Sequence, residues 1–162
     1  MVQQHQLAGD LNDRQRHVEG HAIFHALQRE SSYIGEVAAV NEGFADFVAG
    51  LVTGSSQIGA HLFTTRPGGR PRDMANGFTY ADRQHDEQHA LGTVWGGLGW
   101  DLKRELGVDG ARTLVFGAIQ LAPRPTGFRS ACIGLMLSDR FFNRSQNTEL
   151  LRRQLARRGL DL

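Results

Sequence analysis

Apolar positions recur at helical spacing over most of the chain. Across 13–28, Val18, His21, Ala22, His25 and Ala26 fall on one stripe, the pattern of a helix with one face turned inward. Ser31 and Ser32 interrupt it. A second segment, rich in Ala and Val, runs over 35–52, and Gly54 is placed as its stop. The periodicity then disappears over about 53–86, where Gly59, Pro67, Gly68, Gly69, Pro71 and Gly77 punctuate a long stretch. Loops of this length inside compact domains tend to be functional or mobile. Helix returns near Glu87 and continues to Leu106, with Gly107 as its end. Segments 111–121, 128–142 and 148–158 follow, and Pro123 and Pro125 separate the first two of these. The pattern predicts a mainly α-helical fold with one long irregular loop between its second and third helices, and no internal repeat.

Composition narrows the class. A chain of 162 residues is about one domain, here a single helical domain over 1–162. Apolar residues make up 40% and charged residues 22%, an ordinary globular balance. A net charge of +1 gives no polyanion footprint, so neither nucleic acid nor an anionic membrane is expected as a partner. Arg152, Arg153, Arg157 and Arg158 read as the solvated face of a last helix. Cys132 is the only cysteine, which rules out an internal disulfide. It lies in the apolar run 131–137, where a small buried thiol is expected. No stretch of about 18 apolar residues suggests a transmembrane helix. The polar start, 1–10, has no apolar core of a signal peptide.

The candidate chemistry begins with His21 and His25, two imidazoles at i and i+4 on one helix face, close enough to share a metal ion. The next helix carries Glu42 and Asp46, again at i and i+4, among Val37, Ala38, Ala39, Val40, Phe44, Ala45, Phe47 and Val48. Buried carboxylates cost several kcal/mol unless paired or bound to metal. Zinc accounts for all four residues. His21, His25 and Glu42 are three protein ligands with a fourth position open, as in catalytic sites. Asp46, one turn beyond Glu42, is placed to accept a hydrogen bond from a ligand imidazole.

With these residues the chain resembles the thermolysin and fungalysin families of gluzincin metallopeptidases, in which an H-E-x-x-H helix is followed by a second helix bearing N-E-x-x-x-D. The resemblance makes His21 and His25 the ligand histidines, Glu42 the third ligand and Asp46 its supporting acid. It extends over roughly 18–139. Tyr33 stands nine positions before Glu42, where the families carry an oxyanion-stabilising tyrosine. Arg72-Asp73-Met74-Ala75-Asn76 resembles the segment L-R-S-M-x-[DN], whose arginine binds a substrate carbonyl. His89-Ala90-Leu91-Gly92-Thr93-Val94-Trp95, continuing to Trp100-Asp101-Leu102, resembles H-x-x-G-x-x-W followed by W-[DE]-L. His89 thereby matches the histidine that stabilises the transition state, with Asp86 to orient it. His85 is a competing candidate without that context. Cys132 stands where the family's F-x-x-A-R-x-A-I helix has its arginine.

Two departures qualify what the resemblance implies. The family's catalytic glutamate follows the first ligand histidine, and that position here is Ala22, which cannot accept a proton. The expectation is a zinc endopeptidase domain inactivated at Ala22, by engineering or by nature. The alternatives are a natural pseudo-peptidase or a helical zinc-binding interaction module. The family's β-rich N-terminal lobe is also missing, since 20 residues precede His21. The expected partners are therefore a peptide or protein substrate, together with a separately supplied lobe or an inhibitor or immunity protein. The resemblance implies a protein secreted or delivered outside the producing cell.

Overall fold

The computed structural model describes residues 2–28, 34–59 and 71–160, with side chains from residue 14 onward. The chain is mainly helical, as the periodicity predicts. The helices are α1 (Val2–Gln28), α2 (Gly35–Thr53), α3 (Tyr80–Arg83), α4 (Gln88–Leu121), α5 (Phe128–Asn143) and α6 (Thr148–Arg157). The long element α4 is broken at Gly107, whose φ is 74°. The predicted stop at that glycine and the fresh helix beyond it are both present.

α2 lies at the centre. Every residue from Ala38 to Gly50 is buried, so this helix is covered all round, and its polar residues Asn41, Glu42 and Asp46 are buried with the rest. α1 packs on one side of it and α4 on the other, and α5 covers α4 in turn. The α2–α4 crossing is a backbone contact. A Cβ on Gly92 would stand 2.7 Å from the Ala39 carbonyl oxygen and 3.0 Å from Glu42 Cβ. Only glycine allows that approach. It brings the first turns of α4 directly onto the carboxylate of Glu42, and Trp95 fills the core one turn further on, at 2% exposure.

The segment over 53–86 is less irregular than its glycines and prolines suggest. Among its described residues, β1 (Gln57–Ile58) pairs antiparallel with β2 (Arg72–Asp73), and α3 is started by a reciprocal Thr79–Asp82 capping box. Two-residue strands are too short to register as a period of two, which is why the sequence pattern misses them. The part of the predicted loop over 60–70 lies outside the described residues.

Arg158 corrects another expectation. Arg152, Arg153 and Arg157 are exposed, but Arg158 is buried at 2% exposure. Its guanidinium donates to Asp101 Oδ2 (2.6 and 3.1 Å), Asn76 Oδ1 (2.6 Å) and the carbonyl oxygens of Asn76 and Phe78 (2.9 and 3.1 Å). It thus ties the end of α6 to α4 and to the 76–78 segment. Removing one partner of a buried ion pair strands the other, so Arg158→Ala should lower stability by about 3–5 kcal/mol in denaturant unfolding. A loss below about 1 kcal/mol would show that the bridge is neutral. Cys132 is the buried thiol expected. Burial, with the Glu36 charge behind it, pushes its pKa up to about 12. No helix among the described residues is long and apolar enough to cross a membrane.

Candidate metal centre

The centre forms where α1 meets α2. Gly20 lies against the backbone of α2: a Cβ there would be 2.6 Å from Ala45 Cα. This close approach carries the flanking turn of α1, with His17 and His21, onto Asn41, Glu42 and Asp46. Three atoms converge. His17 Nε2 and His21 Nε2 are 2.9 Å apart, and they stand 3.3 and 3.6 Å from Glu42 Oε2. A tetrahedral metal with bonds of about 2.0–2.1 Å separates its ligand atoms by about 3.3 Å, close to the mean of these edges. His17, His21 and Glu42 are thus a group able to hold a metal ion.

The outer contacts of the rings favour that use. His21 Nδ1 is 2.8 Å from Asn41 Oδ1, and His17 Nδ1 is 2.9 Å from Asp46 Oδ1. Both acceptors call for the proton on Nδ1, leaving both Nε2 lone pairs facing each other across 2.9 Å. Two bare nitrogens at that distance repel unless a cation, either a proton or a metal ion, lies between them. Behind the pair, Arg72 grips Asp46 with two bonds of 2.7 Å.

The electrostatics follow from these contacts. Burial alone would lower the pKa of His17, but hydrogen bonds to Asp46 and Glu42 reverse this and hold it at about 9. Burial wins at His21, whose pKa is lowered against the pull of Asn41 and Glu42. Burial would raise Asp46, but Arg72 and His17 bring its carboxyl below the usual range. Without metal, the His17 proton stabilises the fold fully below the ring's ordinary pKa, near 6.5. That contribution is lost as pH rises through about 9. The melting temperature of chelator-treated protein should therefore fall from pH 6.5 to 9. Metal-loaded protein, with the proton displaced, should not show this fall. A flat profile for the chelated form would contradict the contact.

The site residues expected from sequence fare differently. Glu42 and Asp46 are both in place, at 3% and 1% exposure. The histidine pair brought to Glu42 is one turn earlier than expected: His17 and His21 converge, while His25 is exposed and its Nε2 lies 3.4 Å from Asn41 Nδ2. Histidines at 17, 21 and 25 offer two overlapping i, i+4 pairs, and the first was overlooked. Its signal was the same stripe extended back one turn. Ala22 consequently follows the second histidine of the pair. The position after the first is Val18, which is 65% exposed and equally unable to accept a proton. Tyr33 lies outside the described residues.

Arg72 is committed to Asp46, and it also lines a cleft of about 890 Å³ with Asp73, Phe78, Arg83, Glu87 and His89. His89 reaches the centre, its Nε2 standing 3.4 Å from Glu42 Oε1. Asp86 does not orient it: that carboxylate pairs with Arg83 at 2.8 Å. Glu87 does, with Oε2 2.7 Å from His89 Nδ1. Glu87 is the N-cap of α4 and also accepts from the backbone N–H groups of His89 (2.9 Å) and Ala90 (2.8 Å). Burial would raise the Glu87 pKa, but the bonds from His89 and Ala90 lower it. An acidic residue just ahead of a helix is a capping signal that sequence reading could have used.

No protein-family model matches the sequence. No curated protein matches it either.

Proposed function

We propose that this chain is the zinc-binding part of a gluzincin-like hydrolase, with His17, His21 and Glu42 as ligands and peptide bonds as its substrate class. One observation carries the reading: two imidazole nitrogens and one carboxylate oxygen converge with the spacing of a tetrahedral site, and both rings are braced from behind. Imidazole and carboxylate donors suit zinc, and three protein ligands leave a position open for chemistry. Zinc bound there supplies a Lewis acid for hydrolysis. The chain's own residues do the rest. Asn41 and Asp46 fix the rings, Arg72 fixes Asp46, and the cleft beside His89 offers room for an extended peptide. A substrate-aligning lobe, or an inhibitor or immunity protein, would cover that cleft from another chain or domain, outside the producing cell.

A second reading is a zinc-binding interaction module or natural pseudo-peptidase. It is favoured by Val18 and Ala22, since neither position following a histidine of the pair carries a carboxylate. Elemental analysis of protein purified without chelator tests the shared premise, with about one zinc per chain expected. Cleavage of casein by the zinc-loaded protein separates the two readings. Protein that stays metal-free in the presence of excess zinc ends both.

A further inference from the structure

The cleft beside the metal centre has a chemistry of its own. Arg72 and Arg83 both line it, while the carboxylates that balance them, Asp46 and Asp86, do not. The cleft therefore meets two guanidiniums and not their counter-ions. Arg83 lies over the Phe78 ring, 3.7 Å from its centroid, a contact that fixes its position. Its hydrogen bond among the described residues runs from Nη1 to Asp86 Oδ2, and its Nε is buried without a partner. Both N–H groups of its Nη2 thus have no acceptor there. Arg72 gives Nε and Nη2 to Asp46, which leaves its Nη1 in the same condition. The carboxylates that do line the cleft do not answer these donors. Glu87 is held by His89 and by the backbone N–H groups of His89 and Ala90, and Asp73 Oδ1 accepts from the Ala75 N–H at 2.8 Å.

We infer that this cleft is a carboxylate-binding site, with Arg83 as its receptor and Arg72 as a second donor. Its ligand is a peptide that presents a carboxylate, either the C-terminal group or an Asp or Glu side chain. A carboxylate has two coplanar oxygens that match the paired donors of a guanidinium, and such charge-assisted bonds are about twice as strong as neutral ones. A peptide carbonyl, the partner that the family resemblance implies for Arg72, offers a single oxygen and no charge. The choice of a peptide rests on the hydrolase reading above. The site itself needs no zinc, because neither arginine is hydrogen-bonded to His17, His21 or Glu42. It adds to that reading a preference for acidic peptides or for chain ends, set by Arg83 rather than by the metal.

The test is binding rather than cleavage, measured by titration calorimetry on the full chain after chelator treatment, near neutral pH. The probes are N-acetyl-trialanine with a free C-terminal carboxylate, the same peptide as its C-terminal amide, and N-acetyl-Ala-Glu-Ala amide. At least one carboxylate probe should bind about 10-fold or more tightly than the neutral amide, the usual advantage of hydrogen bonds to charged groups. The probe that does so shows whether the chain end or the side chain is read. Arg83→Gln should bring the carboxylate probes down to the level of the neutral amide and leave the amide itself unchanged, whereas damage to the fold would weaken all three. Arg83→Lys keeps the charge without the fork and should retain part of the difference. A parent that binds none of the probes, a parent that binds all three alike, or an Arg83→Gln chain that keeps the difference would each overturn the site. Zinc uptake and casein cleavage are read separately. Protein that prefers a carboxylate probe but takes up no zinc, or leaves casein uncut when loaded, overturns the hydrolase reading and leaves this site standing. A zinc-loaded chain that cleaves casein without any such preference overturns this site alone.

Discussion

Replacing His17 with alanine should abolish tight zinc binding, whereas replacing His25 should change it little. His17 supplies one of three converging atoms, and its loss leaves one imidazole and one carboxylate, too few to hold the ion against a chelator. His25 is exposed and meets the centre at Asn41, which keeps its contact to His21 when His25 is gone. The supporting residues should rank between the two. Asp46→Ala removes the carboxylate behind His17, and losing the partner that holds a ligand ring in place typically costs about 10–100-fold in metal affinity. Competition against a chromogenic chelator measures all three variants on one scale. Retention of zinc by His17→Ala together with its loss from His25→Ala would return the site to the pair first expected from sequence.

The second large effect concerns activity. Val18→Glu should raise casein cleavage above the parent by about 10²-fold, within the range of general acid–base contributions. Ala22→Glu should gain much less. Position 18 directly follows the first histidine of the converging pair, which under the hydrolase reading is the place that lacks a carboxylate. Position 22 is one turn further along the same stripe, beyond the second histidine. Val18 is 65% exposed, so a glutamate there displaces no core packing. The variants are compared at equal zinc content. A gain confined to Ala22→Glu would show that the centre is framed by His21 and His25 after all.

Much of this molecule is legible in its sequence, for reasons that differ by element. α2 and α4 are long, largely apolar and free of proline, so their existence and type are legible, and Gly107 marks the break in α4 by its own residue type. Glu42 and Asp46 stand out because two carboxylates in an apolar helix demand partners. The identity of those partners is not local information. Which turn of α1 faces Glu42 depends on where α1 and α2 touch, and that is decided at Gly20 against Ala45, a contact between distant segments. Arg158 reads as a surface charge because its partners, Asp101 and Asn76, lie 57 and 82 positions away. Asp86 and Glu87 are adjacent and chemically alike. Only the geometry of the α4 start turns Glu87 toward His89 and Asp86 toward Arg83.

The most direct measurement is an anomalous difference map from crystals of the zinc-loaded chain, collected on either side of the zinc edge. The account predicts one peak, within about 2.0–2.2 Å of His17 Nε2, His21 Nε2 and a Glu42 carboxylate oxygen, with the side toward the cleft open to a light atom. A peak bridging His21 and His25, or no peak near Glu42 in zinc-soaked crystals, would contradict it.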